Sequence, residues 1–510
     1  VLRVDVNDNS IYDEIGNKAS TSQSNNTVKL YGRLSFTVQS NGSGNYTTIQ
    51  SGIDAVKDGD TLIVYPGTYT ESVDFKKKNV VLASRYLTTS DTTYRDSTII
   101  KGSVRMEALD STAALIGMMI YQGQVNAFNG SPVLKRLHIR ENQGPGLKLT
   151  AVNMTIKDLE IKKNDNTGGS RQHGGGIYVY NSKVSLINAV VDSNITNSSD
   201  YGGGLYSEKS HITITRSQFN DNFGWNGGGI FSTDDSSFTM THSTVARDSS
   251  RTYGGGLHFY NTHQKVLLEN VTIDSNRTHH SSSFYGGGIY ANVTSLQLKN
   301  ATVTNNKAGH LGGGVYFYNS VNSTNEIDSL TVEQSIFNNN FSSNNGAGVY
   351  SKLDYYGSIK ITNSLFTNNT AKDASDNNRL HVSAIYTAAN GEASSKITNS
   401  TIASNTGSES VNMYGTYSML NSIIWHNNNS SSTTNVQSAY IQNSNIEIGS
   451  GDPGSTNLNT DPAFVDYVNG DYRLSPSSPS LGTGTSDGAP SVDLLGNARP
   501  NPQGSNPDMG

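Results

Sequence analysis

Cysteine is absent from this 510-residue chain, which excludes disulfides, thiolate metal sites and a cysteine nucleophile. No apolar run is long enough to span a bilayer, and no signal peptide begins at Val1. We expect a mature, exported chain whose signal has been removed, although the composition also fits a cytosolic protein. The net charge is only −6, with acidic and basic residues interspersed. This pattern argues against a nucleic-acid partner and leaves anionic glycans open.

The chain also lacks a convincing helical period between Gly174 and Tyr350. In its place, one phrase restarts every 25 to 34 residues: a run of three glycines, or Gly-Ala-Gly in the last copy, followed by an aliphatic residue and a ring. Repeats of this length are typical of a solenoid. The runs begin at Gly174, Gly202, Gly227, Gly254, Gly286, Gly312 and Gly346. We expect the glycines to serve a bend with positive φ or close backbone packing.

Period-two alternation follows each glycine run, as in Ile177–Tyr180 and residues 184–187, and this pattern indicates strands. Three short strands per repeat, each paired in parallel with its copy one coil later, make an all-β fold, the parallel β-helix. Only 34% of the residues are apolar. That content suffices for the thin core of such a solenoid.

Changes in this pattern divide the chain into five segments. Thr47 or Thr48 is placed to cap a short helix with Ile49, Ile53 and Val56 on one face, which would close the N-terminal end of the solenoid. The segments are an N-terminal arm or extra strands (1–33), an N-terminal cap with irregular coils (34–172), regular coils (173–350), irregular C-terminal coils (351–448), and an extended C-terminal cap or pre-anchor segment covering the open end (449–510).

Three stretches carry a resemblance to known families. Residues 48–54 (Thr-Ile-Gln-Ser-Gly-Ile-Asp) and 59–71 (Gly-Asp-Thr-Leu-Ile-Val-Tyr-Pro-Gly-Thr-Tyr-Thr-Glu) resemble the opening coil of the pectate-lyase-like right-handed parallel β-helix superfamily. The Gly-Gly-Gly-Ile-Tyr coils resemble secreted bacterial proteins of the polymorphic outer-membrane and adhesin type. Residues 460–510 are similar to the end of surface proteins with a variable C-terminal anchor. These resemblances imply right-handedness and a secreted or cell-surface location, but the superfamily hosts many activities.

In a solenoid, residues one coil apart in sequence become neighbours, so function must be sought in columns. The residue after each inward aliphatic forms an aromatic column that we expect to face outward. It is either a platform for sugar rings, a contact face for another protein chain, or a stack that only stabilises the sheet. Its members are Tyr178, Tyr206, Phe231, His258, Tyr290, Tyr316 and Tyr350, continued by Tyr386.

Aspartates recur 18 to 21 residues after four of the glycine runs: Asp192, Asp221, Asp248 and Asp274. If they stack, their carboxylates repel one another unless a cation lies between them, and calcium would suit clustered oxygens. The alternative is that these aspartates bond local backbone N–H groups as turn formers. No cofactor is required in either case. Lysine and arginine are densest within residues 72–172. This cluster is either a receptor for an acidic polysaccharide or a solvated outer face.

A catalytic constellation is harder to find. The nearest assembly lacks the companion motifs that we associate with β-helix polygalacturonases and pectin methylesterases. We therefore expect a structural, adhesive or glycan-binding protein whose partner is a polysaccharide, another copy of itself or a cell-surface protein. The alternative is a polysaccharide lyase or glycoside hydrolase acting on an acidic polysaccharide in a groove from Tyr201 to Tyr290. Its candidate residues are Lys209, Arg216, Asp234, Asp235, Arg251, His258 and His263.

Overall fold

The protein forms a right-handed parallel β-helix, which confirms the predicted fold class. Strands of successive coils pair in parallel and in register, as Ile177 with Leu205 and Leu205 with Ile230. A computed structural model describes residues 3–5, 10–12, 33–168, 172–197, 199–260, 265–279, 283–319, 329–353, 356–373, 379–389, 393–429, 441–447 and 456–510.

Each regular coil passes through four sheets in turn, here numbered sheets 1 to 4; Leu147–Lys157 runs from sheet 1 into sheet 2. Sheet 1 also contains Val73–Asp74, Val104–Glu107, Val125–Gly130, Ile177–Tyr180, Leu205–Glu208, Ile230–Thr233, Leu257–Tyr260, Ile289–Asn292, Val315–Tyr318, Val349–Leu353, Val382–Ala389 and Glu409–Met413. Sheet 2 also contains Ser35–Val38, Thr61–Val64, Val81–Ser84, Ala114–Ile116, Val133–Lys135, Lys183–Ile187, His211–Thr215, Ser237–Thr241, Lys265–Glu269, Ser295–Lys299, Ser329–Glu333, Ser358–Thr362, Ser394–Thr398, Thr416–Leu420 and Ile441–Gln442.

Sheet 3 contains Gly67–Tyr69, Thr98–Lys101, Met119–Tyr121, His138–Arg140, Glu160–Lys162, Val190–Asp192, Gln218–Asn220, Thr244–Ala246, Thr272–Asp274, Thr302–Thr304, Ile336–Asn338, Leu365–Thr367, Thr401–Ala403, Ile423–Trp425 and Asn445–Ile446. Sheet 4 starts later and contains Asp165–Asn166, Ile195–Thr196, Phe223–Gly224, Ser249–Ser250, Arg277–Thr278, Lys307–Ala308, Phe341–Ser342, Thr370–Ala371, Thr406–Gly407 and Asn428–Asn429. The coils before it are therefore three-sided.

The core is one continuous column of inward aliphatic and aromatic side chains, such as Leu186, Ile214 and Met240 in neighbouring coils. Outward residues alternate with them, because side chains in a strand point to opposite faces. Single residues in the left-handed region turn the chain at the corners. Examples are Asn181, with a φ of 47°, and Asn188, with a φ of 56°. Asparagine tolerates this conformation better than branched residues do.

The glycine runs meet both of the predicted needs, at different positions of the run. Gly202, the first of its run, has a φ of 68°. A Cβ on the second, Gly203, would lie 2.5 Å from the carbonyl oxygen of Gly228 in the next coil, and one on Gly204 would lie 2.5 Å from that of Gly229. The first glycine therefore makes the turn, and the other two allow backbone to pack directly on backbone.

The N-terminal end is closed by helix α1 (Ile49–Ala55), as predicted. The Thr48 side chain accepts a hydrogen bond from the Ser51 backbone N–H, and Ile49 and Ile53 are fully buried in the core. Helices α2 (Tyr86–Thr89) and α3 (Thr93–Ser97) lie in an excursion between sheets 2 and 3. None of the helices in the described part of the chain is long and apolar enough to cross a membrane.

The N-terminal arm contains an antiparallel pair of strands, Arg3–Asp5 and Ser10–Tyr12, which forms a sheet of its own. These strands pair with each other and add no strand to the solenoid sheets. The second predicted strand of the arm, at residues 28–31, lies outside the described residues.

The C-terminal segment differs from the expected cap. Residues 456–460 continue the last coil through a parallel bridge between Asn445 and Leu458, and Phe464–Asp466 pairs with Asp471–Leu474 as an antiparallel hairpin that includes a 3-10 helix, Tyr467–Asn469. Met509 then packs on Ile423 and Trp425, whose side chains point outward from sheet 3. The tail therefore covers a lateral apolar surface.

The rest of this tail follows the corner between sheets 2 and 3. The Asn421 side chain exchanges hydrogen bonds with the Thr485 backbone, donating at 2.7 Å and accepting at 2.8 Å, and Asn363 donates to the Val492 carbonyl at 2.7 Å. The corner amides thus replace the ladder bonds that this irregular segment lacks.

Candidate functional site

The predicted aromatic column exists. Tyr178, Tyr206, Phe231, His258, Tyr290, Tyr316, Tyr350 and Tyr386 occupy the same position on successive strands of sheet 1. We call this set the inner aromatic column. The alignment of the first seven follows from the glycine runs, because each run ends two residues before the ring and fixes the register of the strand.

Except at His258, whose ring is tilted by 51 to 54° against its neighbours, the rings of this column cover one another's faces. The centroids of Tyr290, Tyr316 and Tyr350 are each 5.1 Å from the next, and successive ring planes are within 5° of parallel. A sugar ring stacks on the face of an aromatic ring, where the electron density is highest. Because the neighbouring coils already occupy these faces, the inner column presents ring edges and hydroxyl groups to its surroundings.

A second set of rings lies over this column. These rings precede the glycine runs, and we call them the outer aromatic row: His173, Tyr201, Tyr253 and Tyr285. The Tyr201 ring stacks on Phe231 with centroids 4.7 Å apart, and Tyr285 stacks on Tyr316 at 4.8 Å. The sequence did not reveal this layer, although an aromatic residue before the glycines is a visible signal.

Coverage by the outer row corrects the expected exposure. Tyr206, Phe231 and Tyr316 are only 4 to 7% exposed, and His258 is 2% exposed. Burial raises the pKa values of the Tyr206 and Tyr316 hydroxyls, and that of Tyr350 to about 12. The middle of the inner column is therefore a packed, neutral wall, and the stabilising interpretation of the stack agrees with it.

A parallel column, two residues further along the same strands, has a different composition. Its order is Glu107, Phe128, Thr150, Tyr180, Glu208, Thr233, Tyr260, Asn292, Tyr318 and Lys352. Here rings alternate with smaller polar residues, so they do not stack on one another. Tyr260 is 52% exposed. This second column therefore offers ring faces that the inner column does not.

At its N-terminal end the inner column continues into polar residues: Asp74, Arg105, Asn126 and Lys148 hold the same position on the preceding strands. We call these four the polar section. A concavity of about 330 Å³ opens there, lined by Asp74, Arg105 and Asn126 among others. An adjoining one of about 450 Å³ adds Lys76 and Lys77.

The cations of this region remain partly exposed. Arg105 donates to Glu107 at 2.6 Å, lies 4.7 Å above the Phe128 ring, and keeps half of its side chain in solvent. Lys148 lies 5.4 Å above the Tyr178 ring. Such pairs are weak in water, so both cations are available to an anionic ligand.

The candidate catalytic residues do not converge. Asp234 is exposed at the corner between sheets 1 and 2, next to Lys209, while Asp235 points into the protein and is 3% exposed. Asp235 accepts hydrogen bonds from the Ser232 hydroxyl at 2.7 Å and from the Ser210 N–H at 2.7 Å. Burial raises the pKa of Asp235 to about 6.

The remaining candidates lie elsewhere on the coil. Arg216 is at the corner between sheets 2 and 3, where it donates to Asn188 at 3.1 Å. Arg251 stacks on Trp225 in the turn from sheet 4 to sheet 1. His258 belongs to the inner column, and His263 lies outside the described residues. The geometry therefore does not assemble these residues into one groove.

The predicted column of aspartates is also not formed. Asp192 and Asp274 share a position on sheet 3, but Asn220 and Ala246 occupy it in the coils between them. Asp221 lies at the following corner, where it binds Arg247 at 2.8 Å. Within the described ranges, no group of three or more histidines and carboxylates is arranged to hold a metal ion. The sequence offsets of 18 to 21 residues concealed three different positions.

Asp248 belongs to a column that the sequence analysis missed. The side-chain oxygen of a member accepts from the backbone N–H of the member one coil earlier and, where that member is an asparagine, also from its side-chain amide, as Asn306 does from Asn276, both at 3.0 Å. These intercoil bonds differ from the predicted local turn contacts. The members are Asn164, Asn194, Asn222, Asp248, Asn276, Asn306, Asn340, Asn369, Asn405 and Asn427.

Comparison with known proteins supplies no family. No family model matches the chain, and no curated protein matches it either. Among solved structures, it is similar to the catalytic unit of a thermostable GH87 α-1,3-glucanase from Streptomyces thermodiastaticus strain HF3-3, with 13% identity, 79% of this chain and 70% of that chain covered, and a TM-score of 0.33.

Two further solved structures are similar to it. One is a mannuronic acid-specific polysaccharide family 6 lyase from human gut microbiota, with 10% identity, coverage of 77% of this chain and 85% of that chain, and a TM-score of 0.30. The other is pectate lyase Pel9A, with 11% identity, coverage of 94% and 96%, and a TM-score of 0.24. These likenesses concern the fold alone, so the function must be argued from the surface of sheet 1.

Proposed function

We propose that the protein binds an acidic polysaccharide, without cleaving it, along the outer face of sheet 1. The observation that carries this proposal is the continuity of one outward position, which holds Arg105 and Lys148 in the first coils and aromatic rings in the later ones. Guanidinium and ammonium groups attract carboxylate or sulfate groups of a glycan. The tyrosine hydroxyls at the ring edges can exchange hydrogen bonds with sugar hydroxyls.

The dimensions of the solenoid suit such a ligand. Equivalent side chains on sheet 1 recur at the interstrand spacing of about 4.8 Å. A pyranose residue in an extended chain advances by a similar length, so successive sugars would meet successive coils. Binding would then be distributed over many weak contacts, and affinity would rise with the length of the glycan.

Cleavage gains no support from the arrangement of side chains. A general acid or base must lie within hydrogen-bond reach of the bond that it acts on. Asp235 is enclosed by Ser207, Ser210 and Ser232, and Arg216 is at a different corner of the coil. We therefore assign a binding or adhesive role outside the cell or at its surface, in preference to a lyase or hydrolase.

Binding and cleavage can be tested on the same samples. The purified protein is titrated with pectin, alginate, glycosaminoglycans and an uncharged glucan by isothermal calorimetry, and each mixture is assayed for reducing ends and unsaturated products. We expect binding of acidic glycans that weakens as salt rises, because screening shortens the reach of exposed charges. Products released from any glycan would contradict the non-catalytic role.

Variants locate the site. R105A combined with K148A removes both cations of the polar section and should weaken the binding of acidic glycans by tenfold or more, an effect of about 1.4 kcal/mol. K360A combined with K396A is the matched control, since Lys360 and Lys396 are exposed lysines on sheet 2 and their loss removes the same number of charges. Equal losses in both variants would show that binding follows net charge, and no binding by the unaltered protein would refute the proposal.

A further inference from the structure

Tyr260 is 52% exposed, whereas cations lie over the other rings of the second column: Arg105 over Phe128, Lys209 over Tyr180 and Lys352 over Tyr318. The neighbours of Tyr260 on the strands before and after it are Thr233 and Asn292, which are smaller than an aromatic ring. The face of the Tyr260 ring that points towards Asn292 is covered, because Asn292 is only 9% exposed. Tyr260 itself is 52% exposed. The open face of the ring is therefore the one above Thr233.

The opposite side of this opening is polar. Glu208 precedes Thr233 in the same column, so it is two interstrand steps, about 9.6 Å, from Tyr260. Its Oε2 accepts the Tyr206 hydroxyl at 2.9 Å and its Oε1 pairs with Lys209 at 3.4 Å. These contacts fix the direction of the carboxylate, and only about a quarter of its side chain is exposed.

The spacing between ring and carboxylate fits one sugar. A stacked group lies about 4 Å from an aromatic face, and a hydroxyl lies about 2.8 Å from the carboxylate that accepts its proton. The sum of these distances and the thickness of a pyranose ring is close to the separation across Thr233. The Tyr260 ring is supported from below by His258, whose centroid is 6.2 Å away in an edge-to-face contact.

We propose that Tyr260, Thr233 and Glu208 form one sugar-binding position that takes an uncharged pyranose. The apolar face of the sugar would stack on Tyr260, and its hydroxyls would donate to Glu208. A uronate is disfavoured here, because its carboxylate would lie beside the carboxylate of Glu208. This inference rests on the proposed binding of a glycan along sheet 1 and adds an uncharged residue to that glycan.

The test compares Y260A, Y260F and E208Q with the unaltered protein, titrated with an uncharged glucan oligosaccharide and an oligouronate of equal length. We expect Y260A to lose about tenfold in affinity for the uncharged oligosaccharide, and Y260F, which keeps the ring, to lose little. E208Q should weaken binding of the uncharged sugar and improve that of the oligouronate. Y467A is the control, because Tyr467 is 38% exposed in the C-terminal 3-10 helix, outside sheet 1.

The outcomes separate the two proposals. If the unaltered protein binds neither oligosaccharide nor any glycan of the larger panel, the function proposed for sheet 1 is wrong. If it binds glycans and Y260A matches Y467A, glycan binding stands and the Tyr260 position is wrong. Thermal melting of each variant excludes unfolding as the cause of a loss, and Y260F checks the role of the ring where Y260A destabilises the coil.

Discussion

Asp248 interrupts the buried asparagine column, and replacing it with asparagine should stabilise the protein. Its Oδ1 accepts from the Asn222 backbone at 2.7 Å and from the Asn222 side chain at 2.9 Å, as an asparagine oxygen would. Its Oδ2 is fully buried and has no hydrogen-bond partner among the described residues. A Cβ on Gly229 would lie 2.6 Å from this oxygen, so Gly229 allows the backbone to pack beside it.

Position 248 lacks the side-chain hydrogen-bond donor that an asparagine has there. Asn276, one coil later, donates its side-chain amide to the Asn306 oxygen at 3.0 Å and to the Val245 carbonyl at 2.9 Å. The equivalent acceptors for residue 248 are the Asn276 oxygen and the Phe219 carbonyl, given the register of sheet 3. A carboxylate at this place faces two acceptors, whereas the D248N amide would donate to both.

This arrangement sets the dependence on pH. Burial raises the pKa of Asp248 well above its ordinary value, so the folded chain retains a proton that the unfolded chain releases. Stability is complete below the unfolded pKa of about 3.9 and falls as pH rises towards the folded pKa, by up to about 1.4 kcal/mol per pH unit. Because asparagine does not titrate, D248N removes this loss.

The expected gain follows from the restored bonds. Two buried hydrogen bonds, each worth about 0.5 to 1.5 kcal/mol, give D248N at most about 1 to 3 kcal/mol near pH 4, and this gain grows by up to about 1.4 kcal/mol per pH unit as the pH rises towards the folded pKa. Hydrogen exchange read by mass spectrometry follows the local opening of this coil, which suits a solenoid whose repeats need not unfold together. The reporters are the backbone N–H groups of Asn222 and Asp248.

D274N is the control with the opposite sign. Burial opposes ionisation of Asp274, but hydrogen bonds from Asn305, Thr304 and Ser275 together hold its pKa below the usual value. D274N should therefore lose stability above pH 4. Protection that falls in D248N at every pH, or a gain that does not grow with pH, would refute the assignment of a neutral carboxyl at position 248.

Three further substitutions probe the rest of the structure. H258F should raise the melting temperature at pH 5 and leave it almost unchanged at pH 8. Burial lowers the pKa of His258 to about 3, so the stability of the unaltered protein is lost as the pH falls below the unfolded pKa of about 6.5. Equal shifts of the melting temperature at both pH values would contradict this. N306A removes fully buried bonds to Asn340 and Ile273 and should cost about 3 to 5 kcal/mol in denaturant titrations, against less than about 1 kcal/mol for N305A at the exposed corner. G203A places a Cβ 2.4 Å from the Phe223 carbonyl oxygen and should prevent folding of the central coils, seen as lost circular dichroism, while G168A, with open space around it, should fold normally.

The repeat was sufficient to predict the fold. Glycine runs followed by alternating residues require strands of fixed register, and the strands of successive repeats pair as the pattern indicates. Helix α1 and its Thr48 cap were likewise predictable, because capping and a three-residue apolar face are local properties. The path of the C-terminal tail was not, since it depends on the outward side chains of Ile423 and Trp425 meeting Met509.

The columns show where sequence reasoning stops. Counting residues from the glycine run placed Tyr290 and Tyr316 correctly in one stack. The count is reliable there because the number of residues between glycine and ring is constant. The same counting failed for Asp221 and Asp248, which lie more than fifteen residues further on, past the corner between sheets 1 and 2, where two residues separate Glu208 from His211 but three separate Thr233 from Ser237. An error of one residue moves a strand side chain to the opposite face.

The sequence alone therefore determined the solenoid, its coil boundaries and the identity of the ring that follows each glycine run, since these depend on local spacing. Only the tertiary structure decided which rings are covered. Whether Tyr316 is buried and Tyr260 exposed depends on Tyr285 in the outer row and on the size of Thr233 one coil earlier. Exposure is a property of neighbours brought together by coiling, and for that reason the surface available to a ligand became visible only in the folded chain.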